Sequence, residues 1–60
     1  MVRNVITHRI GKARLSVRYT IELGEINIFA VCHKTRDITN RLNQRTFSAI
    51  LESLYARENH

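Results

Sequence analysis

The amino-acid sequence predicts a small α+β fold, a two-layer sandwich in which an antiparallel β-hairpin is followed by one C-terminal amphipathic helix. Two patterns carry this prediction. Apolar and polar residues alternate strictly from Ala13 to Leu23, which is typical of a half-buried strand. Apolar residues recur at helical spacing from Thr46 to Arg57. A sheet and a helix that are each apolar on one side are expected to bury those sides against each other.

The hairpin is predicted from a turn signal between two strands, which cover about 13–23 and 26–33. Gly24-Glu25 suits a two-residue turn because glycine accepts the positive φ that such turns require. This turn would place Leu23 opposite Ile26, and the pairs that follow on the same face are all apolar. They are Ile21 with Ile28, Tyr19 with Ala30, and Val17 with Cys32.

The opposite face of this hairpin is expected to be polar and basic. In the same register it carries Arg14, Arg18, Thr20, Phe29 and His33. An exposed aromatic ring among arginines suits a nucleic-acid strand, since a base can stack on the ring while phosphates meet the guanidinium groups. The alternative is that the N-terminal segment or a second copy of the chain covers Phe29 and Val31.

The helix is predicted over about 45–58, with Asn43 or Thr46 as its N-cap. Residues 34–43 are expected to form a loop or a separate short element that turns Ile38 and Leu42 inward. The segment 2–10 fits neither period, and a third strand over about 2–8, paired with the edge of the hairpin, is one interpretation of it. The apolar stripe of the helix consists of Phe47, Ile50, Leu51, Leu54 and Tyr55.

Length and composition limit what the chain can be. Its 60 residues predict one domain, residues 1–60, with a small core, and homodimerisation would enlarge that core. The single cysteine, Cys32, cannot form an intrachain disulfide, which favours a reducing cytoplasm. No membrane association is expected, because the most apolar stretch, 26–32, has seven residues, includes Asn27 and falls far short of the roughly 20 residues of a membrane-spanning helix.

The charge is basic and unevenly distributed. The net charge is +5, and eight of the ten cations are arginines. Residues 1–20 hold five cations and no acid, and residues 33–45 hold four cations against Asp37. Arginine presents a planar fork of donors that suits phosphate and carboxylate groups. The expected partner is therefore a nucleic acid or an acidic protein surface.

The residue pattern does not predict an enzyme, a metal site or a cofactor. Cys32 and His33 are neighbours on a strand, so they point to opposite faces and do not form a nucleophile–base pair. Three scattered histidines and one cysteine lack the spacing of zinc ligands. No pair of carboxylates is expected to converge, and Gly11 and Gly24 are isolated rather than part of a phosphate-binding loop.

Two functions remain. The first is a small basic accessory or regulatory protein that binds nucleic acid through arginine patches. The second is a protein-interaction module that docks on a host protein, as a modulator from a phage or plasmid would. The chain resembles such accessory proteins only in its small size and its arginine content. The predicted contact residues for nucleic acid are Arg14, Arg18, Phe29, His33, Lys34, Arg36, Arg41, Asn43 and Arg45.

Overall fold

The computed structural model, which describes residues 3–59, has an antiparallel sheet followed by one C-terminal helix. The sheet contains four strands: β1 (Arg3–Ile10), β2 (Ala13–Glu22), β3 (Glu25–His33) and β4 (Arg36–Asp37). A single 3₁₀ turn, Thr39–Arg41, then leads to the helix α1 (Gln44–Glu58). This architecture confirms the predicted α+β fold.

The strands form a meander in the order β1-β2-β3-β4, each antiparallel to its neighbour. The third strand considered for the N-terminal segment is present as β1, which continues to Ile10; residue 2 lies outside the described residues. The sequence did not predict the two-residue strand β4. It lies within the segment 34–43 that was expected to be a loop or a short element.

The predicted register of the central hairpin is wrong at its turn. The turn residues are Leu23 and Gly24 rather than Gly24 and Glu25, so that Glu22 faces Glu25 and Ile21 faces Ile26. Both turn residues have positive φ, 51° for Leu23 and 79° for Gly24. Two consecutive positive values are typical of a type I′ turn, whose twist matches that of the flanking strands. The alternation of the sequence hides this turn because Leu23 continues the apolar series while lying fully exposed.

A β-bulge then changes which residues of β3 face the core. Tyr19 pairs with Ile28, but Arg18 pairs with Ala30, so Phe29 is the additional residue of the bulge. Beyond it, Val31 is opposite Val17, and both are fully buried. A strict alternation would have buried Cys32 instead of the larger, β-branched Val31.

Two placements predicted for the end of β3 are therefore wrong. The inner face of the sheet is the one that α1 covers, and the outer face is the opposite one. Cys32 is opposite Ser16 on the outer face rather than beside Val17. His33 is opposite Leu15 on the inner face rather than with Arg14 and Arg18. The two neighbours still point to opposite faces, as any adjacent residues of a strand do.

The helix begins one residue earlier than predicted. Asn43 is its N-cap, and the Asn43 Oδ1 accepts a hydrogen bond of 2.8 Å from the backbone N–H of Thr46. Ile50 and Leu54 of the predicted stripe are fully buried, and burial of each stabilises the fold by roughly 1.5–3 kcal/mol before entropy is subtracted. Ile38 and Leu42 pack against the same core, which confirms their predicted inward orientation.

Two hydrogen bonds attach the C-terminal half of α1 to the sheet. The buried Tyr19 hydroxyl donates to Glu58 Oε2 at 2.7 Å, and the Ile26 N–H donates to the Tyr55 hydroxyl oxygen at 3.0 Å. Glu58 accepts this bond although its side chain is exposed. Within residues 3–59, no helix has the length and apolar character needed to cross a membrane.

Candidate nucleic-acid interface

The two ends of the sheet differ in charge. Because the strands form an antiparallel meander, the turns Gly11–Lys12 and Lys34–Thr35 lie at one end and the turn Leu23–Gly24 lies at the other. The second end carries Glu22 opposite Glu25. The first end carries cations from three separate segments of the chain.

We call this first end, together with the 3₁₀ turn beside it, the cationic end. Its six cationic side chains are all exposed, and they come from the β1–β2 hairpin, the β3–β4 hairpin and the 3₁₀ turn. The sequence between Ile6 and Val17 and between Ile28 and Arg36 contains no aspartate or glutamate. The six residues are Arg9, Lys12, Arg14, Lys34, Arg36 and Arg41.

Arg9 and Arg14 are direct cross-strand partners on the outer face. Side chains at such positions are neighbours, with Cβ atoms about 5 Å apart, and like charges there destabilise a sheet. An anion bound between the two guanidinium groups would relieve this repulsion.

The β3–β4 hairpin and the 3₁₀ turn enclose an open depression of about 350 Å³. Two arginines, a lysine and a histidine contribute to it, and no acidic side chain does. Guanidinium and ammonium groups around an open depression provide donors for a phosphate group that remains part of a longer chain. The lining residues are His33, Lys34, Thr35, Arg36, Ile38 and Arg41.

The nearest acid in the sequence, Asp37, is held by its own hydrogen bonds. The Asp37 Oδ1 accepts from the Thr39 hydroxyl at 2.6 Å and from the Thr39 N–H at 2.9 Å. These two bonds, and the nearby charge of Arg18, lower the pKa of Asp37 below its ordinary value of 3.8. The carboxylate thus stays ionised at neutral pH with its charge directed to Thr39.

Thr39 also joins the depression to the edge of β3. The Val31 N–H donates to Thr39 Oγ1 at 2.9 Å, and the Ile38 N–H donates to the Val31 carbonyl oxygen at 2.8 Å. These contacts form a chain of hydrogen bonds from the Val31 amide through the Thr39 hydroxyl to the Asp37 carboxylate. It fixes the backbone between Arg36 and Arg41, and therefore the spacing of the cations around the depression.

The structure brings together five of the nine predicted contact residues. His33, Lys34, Arg36 and Arg41 line the depression, and Arg14 lies at the same end on the outer face. Arg18 lies further along the outer face, between Val5 and Ala30, and is exposed.

The other three predicted contacts lie outside this group. Phe29 is at the bulge with 42% of its surface exposed, and it does not share a face with His33. Asn43 uses its side-chain oxygen to cap α1. Arg45 is exposed in the first turn of α1, where the structure has no acidic residue.

Sequence reasoning missed Arg9 and Lys12. The signal that would have found them is Gly11, which was considered only as an isolated glycine that is not part of a phosphate-binding loop. Gly11 has a φ of 58° and occupies the first position of a two-residue hairpin turn, where glycine is favoured. A hairpin around Gly11–Lys12 places Arg9 directly opposite Arg14.

Comparison of the chain with models of known protein families, with curated proteins and with solved structures finds no match.

Proposed function

We propose that this protein binds nucleic acid by placing phosphate groups against the cationic end. The observation that carries the proposal is the placement of six exposed cations, from three segments of the chain, at one end of the sheet, where three of them line a depression whose lining has no acid. Phosphate contacts supply most of the affinity of sequence-independent nucleic-acid binding. The protein would act as a small accessory or regulatory factor, and the unpaired thiol of Cys32 suits a reducing cytoplasm.

The composition of the site favours a phosphate backbone over single base edges. Four of the six cations are arginines, which can bind two phosphate oxygens at once. Asn43, a predicted contact residue with an amide that could read a base edge, uses its side-chain oxygen to cap α1. The binding we expect is therefore governed by charge and depends little on base sequence.

Salt dependence of binding tests this proposal. A fluorescein-labelled 20-base-pair duplex and a 20-nucleotide single strand are titrated with protein at several salt concentrations, starting at about 50 mM. If four to six cations each neutralise one phosphate, the plot of log affinity against log salt for the duplex has a slope of roughly −4 to −5. No binding of either probe at about 50 mM salt would refute the proposal.

A matched pair of variants locates the contact. Arg36→Gln removes a cation that lines the depression, and it should make the slope for the duplex about 0.9 less negative. Arg57→Gln removes the same charge from the last turn of α1 and should leave the slope nearly unchanged. Equal effects of the two substitutions would show that only the net charge matters and would contradict a site at the cationic end.

A further inference from the structure

β1 is an edge strand of the sheet, with a free side along its whole length. It extends over eight residues, Arg3–Ile10, and pairs with β2 on one side. In the part of the chain that the structure describes, no strand pairs with its other side. A long edge of this kind exposes a row of backbone donors and acceptors that another extended chain can pair with.

The opposite edge of the sheet, formed by β3 and β4, is occupied near both ends of β3. Tyr55 accepts from the Ile26 N–H, Thr39 accepts from the Val31 N–H, and Ile38 donates to the Val31 carbonyl. The end of β3 is paired with the two residues of β4. Side chains and short elements therefore block strand addition on that side and leave β1 as the open one.

The turn geometry identifies which backbone groups of β1 face outward. Residues that flank a two-residue turn exchange hydrogen bonds, and the following pair does not, so the groups of successive residues point to opposite sides. Ile10 flanks the Gly11–Lys12 turn, which leaves Val5, Thr7 and Arg9 with outward N–H and C=O groups. The same rule correctly makes the Ile26 N–H point away from β2, toward Tyr55.

The two faces beside this edge differ in character. On the outer face, Arg9 is exposed next to Arg14. On the inner face, Ile6 packs against the core and Ile10 is 40% exposed. A strand that pairs with β1 would thus present alternate side chains to a basic face and to a partly apolar face.

Charge distinguishes the partners that could occupy this edge. The first 20 residues hold five cations and no acid, so a second copy paired along β1 would bring like charges together. A strand with acidic residues on one face and apolar residues on the other meets complementary side chains on both.

We propose that β1 binds an extended protein segment of alternating acidic and apolar residues, which adds to the sheet as a fifth strand. The partner is a protein, and the contact is made by the backbone of Val5, Thr7 and Arg9 rather than by the depression. This activity goes beyond nucleic-acid binding and does not require it, although Arg9 belongs to both surfaces.

The probe for this proposal is a soluble fluorescein-labelled peptide of four Glu-Val repeats, titrated by fluorescence anisotropy. Thr7→Pro removes one outward N–H and inserts a ring at the edge, yet it spares the hydrogen bonds to β2. It should weaken peptide binding at least about tenfold. Thr7→Val keeps the N–H and should bind as the unmodified protein does. Equal binding by the two variants would overturn the proposal.

A measurement on the unmodified protein keeps the test valid if Thr7→Pro fails to fold. On addition of the peptide, the amides of Val5, Thr7 and Arg9 should gain protection from hydrogen exchange, whereas those of Ile6 and His8, already paired with β2, should not change. Absence of binding at millimolar peptide would overturn the proposal. So would equal binding of a peptide with the same composition in two blocks, or self-association through β1 seen by sedimentation without peptide.

Discussion

Replacement of Thr39 by valine tests the hydrogen bonds that fix the depression. Thr39→Val keeps the shape of the side chain but removes the acceptor of the Val31 N–H and the donor to Asp37. Val31 is fully buried, and a buried amide left without an acceptor costs about 1–3 kcal/mol. At about 2 kcal/mol, and with 4–8 °C per kcal/mol for a domain of this size, Tm should fall by roughly 8–16 °C.

Thermal and urea unfolding measure this loss, and hydrogen exchange locates it. The Val31 amide should exchange much faster in Thr39→Val, while the amide of Val17 should change only as global stability does. Thr35→Val is the matched control, because Thr35 is exposed in the β3–β4 turn and should change stability by no more than about 0.5 kcal/mol. The reasoning is refuted if the two variants lose the same stability or if exchange at Val31 is unaltered.

Three further substitutions have expected outcomes. Leu23→Asn should raise the free energy of unfolding by about 1 kcal/mol in urea titrations. The reason is that a fully exposed leucine with a φ of 51° is strained, whereas asparagine tolerates that conformation. An unchanged free energy of unfolding would contradict a strained turn. Tyr19→Phe should lower the free energy of unfolding by about 1 kcal/mol at pH 7, because the hydrogen bond to Glu58 is lost and water solvates that carboxylate instead. Burial and the bond to Glu58 raise the pKa of Tyr19 above 10.0, so the stability that the Tyr19 hydroxyl contributes is present below pH 10 and is lost as the pH rises above 10. The urea midpoints at pH 7 and pH 10.5 should therefore differ less in Tyr19→Phe than in the unmodified protein. An equal difference in the two proteins would contradict the assignment. Arg9→Glu places a carboxylate opposite Arg14, so it should raise the free energy of unfolding by about 1 kcal/mol in urea titrations. It should also weaken binding of the labelled duplex. Unchanged duplex binding would show that Arg9 is not part of the site.

The sequence predicts the fold well where one period dominates. The alternation from Ala13 to Leu23 and the helical stripe around Ile50 and Leu54 each leave a single way to bury apolar area, and both elements are present. The register was not predictable in the same way. Two registers pair apolar residues almost equally well, and the choice depends on the twist of a type I′ turn and on a bulge at Phe29 that places Val31 rather than Cys32 in the core.

Only those residues of the candidate site that are close together in the sequence were predicted as a group. His33, Lys34 and Arg36 are close along the chain, so their proximity needs only the β3–β4 turn. The approach of Arg9 and Lys12 depends on a hairpin whose first strand has no clear period, and only the glycine at the turn indicates it. The β3 edge is occupied by hydrogen bonds to α1 and to the 3₁₀ turn. These bonds join residues that are distant in the sequence, so no local sequence pattern predicts them.

Like charges face each other at both ends of the sheet, Arg9 with Arg14 and Glu22 with Glu25, and each pair opposes folding slightly. Their separation by the length of β2 makes the Gly11–Lys12 end of the sheet more positive than the Leu23–Gly24 end, where Arg3 begins β1 beside the two glutamates. An anionic polymer is attracted more strongly to the first end, so it should approach end-on at the β3–β4 turn rather than lie along the strands. Glu25→Lys provides the corresponding test, since it relieves the acidic pair as Arg9→Glu relieves the basic one. Both substitutions should stabilise the protein, but only Arg9→Glu should weaken duplex binding, and a loss of binding in Glu25→Lys would contradict this orientation.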